Sequence, residues 1–91
     1  YSLIRDLTGH GVGYAVHEDP PIPNFYDKRI PDVKLKEGMV ICIEPMVAMG
    51  DWRVTTDHDE WTIRTADHSL AAHFEHTIAL TAEGHEVLTI I

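Results

Sequence analysis

The run Met39-Val40-Ile41-Cys42-Ile43, ended by Glu44-Pro45, constrains this chain more than any other segment. Five apolar residues in a row have strand length, and a run apolar at every position suits a strand covered on both faces. Other strands must therefore pack around it. With a period of two, Val40, Cys42 and Glu44 share one face, and Met39, Ile41 and Ile43 share the other. The Glu44 carboxylate is thus aimed where apolar side chains point, and Pro45 holds it in extended backbone. Left unpaired there, a carboxylate is costly or stays protonated. Two readings stand: a strand-end Glu that meets an Arg or water, and a metal ligand or catalytic base.

The rest of the chain reads as strands and connections. Leu3, Ile4 and Leu7 mark the last turns of an amphipathic helix stopped by Gly9. Because the chain opens at Tyr1 inside that element, without a cap, a fragment is expected. Gly9 to Val16 reads as a glycine loop feeding a strand. Asp19 to Pro31 holds four of the five prolines and reads as an extended connection. Trp52–Thr56 and Trp61–Thr65 flank the polar tip Asp57–Glu60 as a first hairpin; His73–Thr81 and Glu86–Ile91 flank Ala82–His85 as a second. The expected class is α+β, a helix stub followed by mostly antiparallel strands. At 91 residues there is room for one modest core.

Charge narrows the function. Fifteen Asp and Glu against seven Lys and Arg give −8, with no basic stripe, so nucleic acid is not an expected partner. No apolar run is long enough to span a membrane. A single cysteine, Cys42, in an apolar run suits a reducing, cytoplasmic setting.

Glu75 repeats the problem posed by Glu44. In His73-Phe74-Glu75-His76-Thr77 it shares a strand face with His73 and Thr77. If the two carboxylates converge, their repulsion is relieved by a shared proton or a cation. An imidazole from His10, set between Gly9 and Gly11, would complete a donor set for a divalent metal. A loop histidine is also commonly just a hydrogen-bonded structural group. His17, seven residues on, can join His10 only if the glycines bend the chain. His73-Phe74-Glu75-His76 is neither HExxH nor HxxEH, and CxxC, GxSxG and P-loop patterns are absent. The Asp57–Glu60 tip reads as a solvated turn.

Taken in order, Gly9-His10-Gly11-Val12-Gly13, His17-Glu18-Asp19-Pro20, Leu35-Lys36-Glu37-Gly38-Met39, Ile43-Glu44-Pro45-Met46-Val47 and Phe74-Glu75-His76-Thr77 resemble the C-terminal part of type I methionine aminopeptidases, of the pita-bread fold. The resemblance covers essentially residues 1–91, as part of one catalytic domain. It implies a dinuclear metallo-exopeptidase that removes the initiator methionine from nascent chains through a metal-bound hydroxide. His10 and Glu44 would bind one metal, Glu75 would bridge two, and the ions would be Co, Mn, Fe or Zn. Glu44 would also act as the catalytic base, and His17 would contact the substrate near the scissile bond. Trp61 would lie at the mouth of the methionine pocket, although a packing role in its hairpin reads equally well. His73 would stand near the substrate, where the family generally has a glutamine. The resemblance further implies a cytoplasmic monomer at full length and allows for ribosome association. The family also needs two aspartates and a further histidine that these residues lack, so the chain alone is expected to bind metal weakly and to be inactive. The competing expectation is a non-catalytic pita-bread module that binds peptides without cutting them.

Overall fold

The computed structural model describes residues 1–91. It contains strands β1 (Ser2–Leu3), β2 (Gly9–Gly11), β3 (Glu18–Ile22), β4 (Val40–Ile43), β5 (Met46–Ala48), β6 (Val54–Thr56), β7 (Ile63–Thr65), β8 (Ala71–His73), β9 (His76–Thr81) and β10 (Gly84–Val87). They form a five-stranded sheet in the order β10-β9-β4-β2-β3, a three-stranded sheet β1-β5-β8, and the ribbon β6-β7. Every pairing is antiparallel.

The apolar run takes the central place it demands. β4 lies between β9 and β2, with Ile41 and Cys42 buried. Its end is less covered than the pattern implies, since Ile43 is 39% exposed. On the other side of Glu44-Pro45, Met46 and Ala48 of β5 join Ile4 in the small core.

The expected N-terminal helix does not form, and within these residues no helix does. Ser2 and Leu3 pair instead with Ala48 and Val47 of β5, the Ile4 N–H donates to the Met46 carbonyl, and the Ser2 hydroxyl donates to the Gly50 carbonyl. A helix of two turns is marginal by itself, whereas an open sheet edge offers ready partners for the same backbone groups. The proline-rich stretch is likewise not all connection. Glu18–Ile22 forms an edge strand, where a proline without an N–H is tolerated.

His73–Thr81 is not one strand but two. It breaks at Phe74-Glu75, with β8 in the three-stranded sheet and β9 in the five-stranded one. β4 and β5 break in the same way at Glu44-Pro45, and the Phe74 N–H donates across the gap to the Pro45 carbonyl. Glu44 and Glu75 therefore both lie on the seam where the chain changes sheets.

The hairpins form with shorter strands than expected. β6-β7 closes over residues 57–62, where the Asp59 carboxylate accepts from the Trp61 and Thr62 N–H groups. Trp61 thus falls in the turn and is 85% exposed. β9-β10 closes at Ala82-Glu83, followed by Gly84 at a φ of 136°, which a side chain would strain.

Candidate metal centre

Register brings the titratable side chains together. Cys42 pairs with both His10 and Thr77, so His10, Cys42 and Thr77 form one row across β2, β4 and β9. Two residues along, toward the seam and on the same face, come Glu44 and Glu75. β2 can serve this row only because it is Gly-His-Gly. A Cβ on Gly9 would collide with the Cys42 carbonyl, and one on Gly11 with the Asp19 carbonyl. His10 is thereby clamped between two strands at van der Waals closeness.

Glu44 is buried, and each of its oxygens faces an imidazole. His10 Nε2 lies 3.0 Å from Oε1, and His73 Nε2 lies 3.0 Å from Oε2. His10 Nδ1 is 2.8 Å from the Gly11 carbonyl oxygen, so Nδ1–H donates there and Nε2 is left to face the carboxylate. Nε2 and Oε1 both carry lone pairs and need a proton or a cation between them. Two ligands about 2.1 Å from one cation and at right angles to it stand about 3.0 Å apart, so this separation suits a metal as well as a proton.

Glu75 is exposed on the same face, and its carboxylate is common to two groups of donors whose atoms lie within 4.8 Å of one another: His10, Cys42 and Glu75; and Glu44, His73 and Glu75. Oxygen and imidazole donors in this combination fit borderline divalent transition metals. The residues present therefore fit the metal ions that the resemblance implies.

His17 joins the cluster through His10. The β2-β3 register shifts between His10 and Gly11, the chain turns back over residues 12–17, and the His17 ring comes to 4.2 Å from that of His10. The glycine bend that the odd spacing required is present. Trp61 takes no part in these contacts. An apolar cleft of about 250 Å³, lined by Ile4, Leu7, Met46, Val54 and Ile63 among others, includes His73 in its wall.

Sequence reasoning put Cys42 on the Glu44 face but gave it no part in the site. Its thiol is 3.6 Å from the Thr77 hydroxyl. Burial pushes the thiol above its ordinary range; Thr77 opposes this, and the Glu75 carboxylate adds to it. The signal was available, because Cys42 shares the Glu44 face by simple alternation.

The metallopeptidase family M24 profile matches residues 1–82. The chain is 57% identical over 91 residues to a methionine aminopeptidase of Mycoplasma capricolum, covering 98% of this chain and 35% of that protein. It is 53% identical over 92 residues to the methionine aminopeptidase of Clostridium perfringens, covering 100% and 36%. Among solved structures, methionine aminopeptidase from Thermotoga maritima superposes with a TM-score of 0.89 at 53% identity, over 98% of this chain and 35% of that one. The Rickettsia prowazekii methionine aminopeptidase gives 0.91 at 43%, over 99% and 36%. The chain thus spans about a third of the length of the curated relatives it matches, and its antiparallel architecture is that of the pita-bread metallopeptidases.

Proposed function

The chain belongs to metallopeptidase family M24, and from that premise we propose that residues 1–91 form part of one methionine aminopeptidase catalytic domain, which removes the N-terminal methionine from nascent proteins in the cytoplasm. The observation that carries the reading is the buried Glu44 carboxylate between two imidazole nitrogens, with Glu75 in reach of both donor groups. A peptide-binding module that does not cut has no use for such a set.

His10 and Glu44 would hold one divalent ion, and Glu75 would be shared with a second; the ions are of the Co, Mn, Fe or Zn type. When bound, such a pair supplies Lewis acidity, which makes water a nucleophile near neutral pH and polarises the scissile carbonyl. The remaining work falls to side chains of this chain. Glu44 accepts a proton from the attacking water and delivers it to the departing amine. His17, against His10 and open to solvent, donates a hydrogen bond to the peptide as negative charge builds on its carbonyl oxygen. Trp61 offers an exposed apolar wall to an unbranched thioether side chain. The substrate is the extended N-terminus of a new chain, met as a monomer near the ribosome. The 91 residues alone bind metal weakly and turn over little.

A chimera tests the proposal: these residues replace the matching segment of the Thermotoga maritima enzyme, and methionine release from a Met-Ala peptide is followed with added cobalt or manganese. Metal-dependent release is expected, with a loss of at least about tenfold on Glu75→Gln. Peptide binding without release would favour the non-cutting module, and a smaller loss would sink the bridging role.

A further inference from the structure

Glu44 faces an imidazole on each side, and the two are not alike. His10 has its second nitrogen fixed, with Nδ1 2.8 Å from the Gly11 carbonyl oxygen. Its side chain is 14% exposed. This is how ligand histidines are built, since a partner on the far nitrogen sets both tautomer and ring direction. His73 has no such partner, its side chain is 48% exposed, and its single polar contact is Nε2 to Glu44 Oε2 at 3.0 Å. Backbone pairing accounts for its place. His73 is opposite Met46 in the β5-β8 ladder, so its ring reaches diagonally over the seam to Glu44, two residues before Met46.

We infer that His73 is a positioning residue of the metal centre, donating Nε2–H to Glu44 Oε2 so that Glu44 meets a cation through Oε1 alone. The inference rests on the metallopeptidase reading but assigns His73 a different task from the substrate contact that the resemblance implies. A neutral imidazole has one proton to give. On Nε2 it is used by the carboxylate, and Nδ1 is left to water. Without that donor, a buried Glu44 oxygen loses its only partner, and the carboxylate is free to turn away from His10. Partners of this kind typically change metal affinity about 10–100-fold when removed.

The test uses the chimera described above, as parent, His73→Leu and His73→Gln, and measures Mn²⁺ affinity by calorimetry in the absence of substrate. His73→Leu is expected to weaken Mn²⁺ binding about 10–100-fold. His73→Gln, whose amide supplies an N–H donor of similar reach, is expected to stay within about threefold of the parent. The visible spectrum of the Co²⁺ form should shift in the Leu variant and not in the Gln variant. Thermal midpoints should agree among the three, because the ring is half in water. Three outcomes overturn the inference. Unchanged affinity in the Leu variant means that Glu44 needs no holder. Equal weakening in both variants means that the imidazole itself binds the metal. Intact Mn²⁺ affinity in the Leu variant, with KM raised in the separate methionine-release assay, means that His73 touches substrate from the lining of the apolar cleft. A parent that binds Mn²⁺ yet releases no methionine would end the functional reading alone, and a parent that binds no Mn²⁺ would end both.

Discussion

Gly9 and Gly11 set His10 in place by what they lack. The strands on either side approach so closely that a single methyl group on Gly11 meets the Asp19 carbonyl. Gly11→Ala in the chimera is therefore expected to cost about 1–3 kcal/mol, read from urea unfolding, and to lower metal affinity as His10 shifts. The Cys42 thiol is buried and held above its ordinary range, first by that burial, so it stays protonated and unreactive at neutral pH. Labelling by a disulfide reagent should be slow in the native protein and fast in denaturant; fast native labelling would show the β2-β4-β9 row to be open. Asp67 contributes one pH-dependent tie. Its exposed carboxylate accepts from the Asp51 N–H at 2.8 Å and the Ser69 N–H at 3.0 Å, and these bonds hold its pKa down to about 2. A depressed carboxylate contributes above its unfolded pKa, so the tie between residues 51 and 67 is complete above about pH 4 and lost as pH falls through about 2. A carbon-13 titration of the Asp67 carboxyl group should show that low midpoint.

The strands of this chain are short, and several owe their existence to a neighbour. Ser2–Leu3 is too brief to stand alone, yet it closes the edge of the three-stranded sheet and buries Ile4 beside Met46 and Ala48. Ile4→Ala is expected to cost about 2–4 kcal/mol in thermal or urea unfolding of the chimera. A change near zero would mean that the segment is not seated there. Alternation put Glu44 with Cys42 and Glu75 with Thr77 from the residues alone, because period two is a local property of extended backbone. The break inside His73–Thr81 was not legible in the same way. Nothing in Phe74-Glu75 forbids a strand, and the chain bends there because β5 and β4, its two partners, belong to different sheets. The helical spacing of Leu3, Ile4 and Leu7 misled for a related reason: a few apolar residues fit either period, and the open edge of β5 decided between them.

As a whole the molecule is thinly packed. Its radius of gyration is 14.6 Å, against about 12 Å for a compact domain of this length. Tyr14, Tyr26, Trp61, Leu70 and Ile90 are each at least 70% exposed. So much apolar surface should bind an anilinonaphthalene dye, with a stronger signal from the 91 residues alone than from the same residues in the chimera. Equal signals would show that the chimera leaves these side chains uncovered. The sequence by itself determined the central strand, the face that each carboxylate takes on its own strand, the glycine-flanked histidine and, through their order, the family. These follow from alternation, backbone sterics and spacing, which act over a few residues. Only the tertiary structure decided that the N-terminal segment is a strand, that both carboxylates sit on the seam between sheets, and that His73 reaches across that seam to Glu44. Those facts depend on which strands pair and in what register, and pairing is settled by partners distant in the chain.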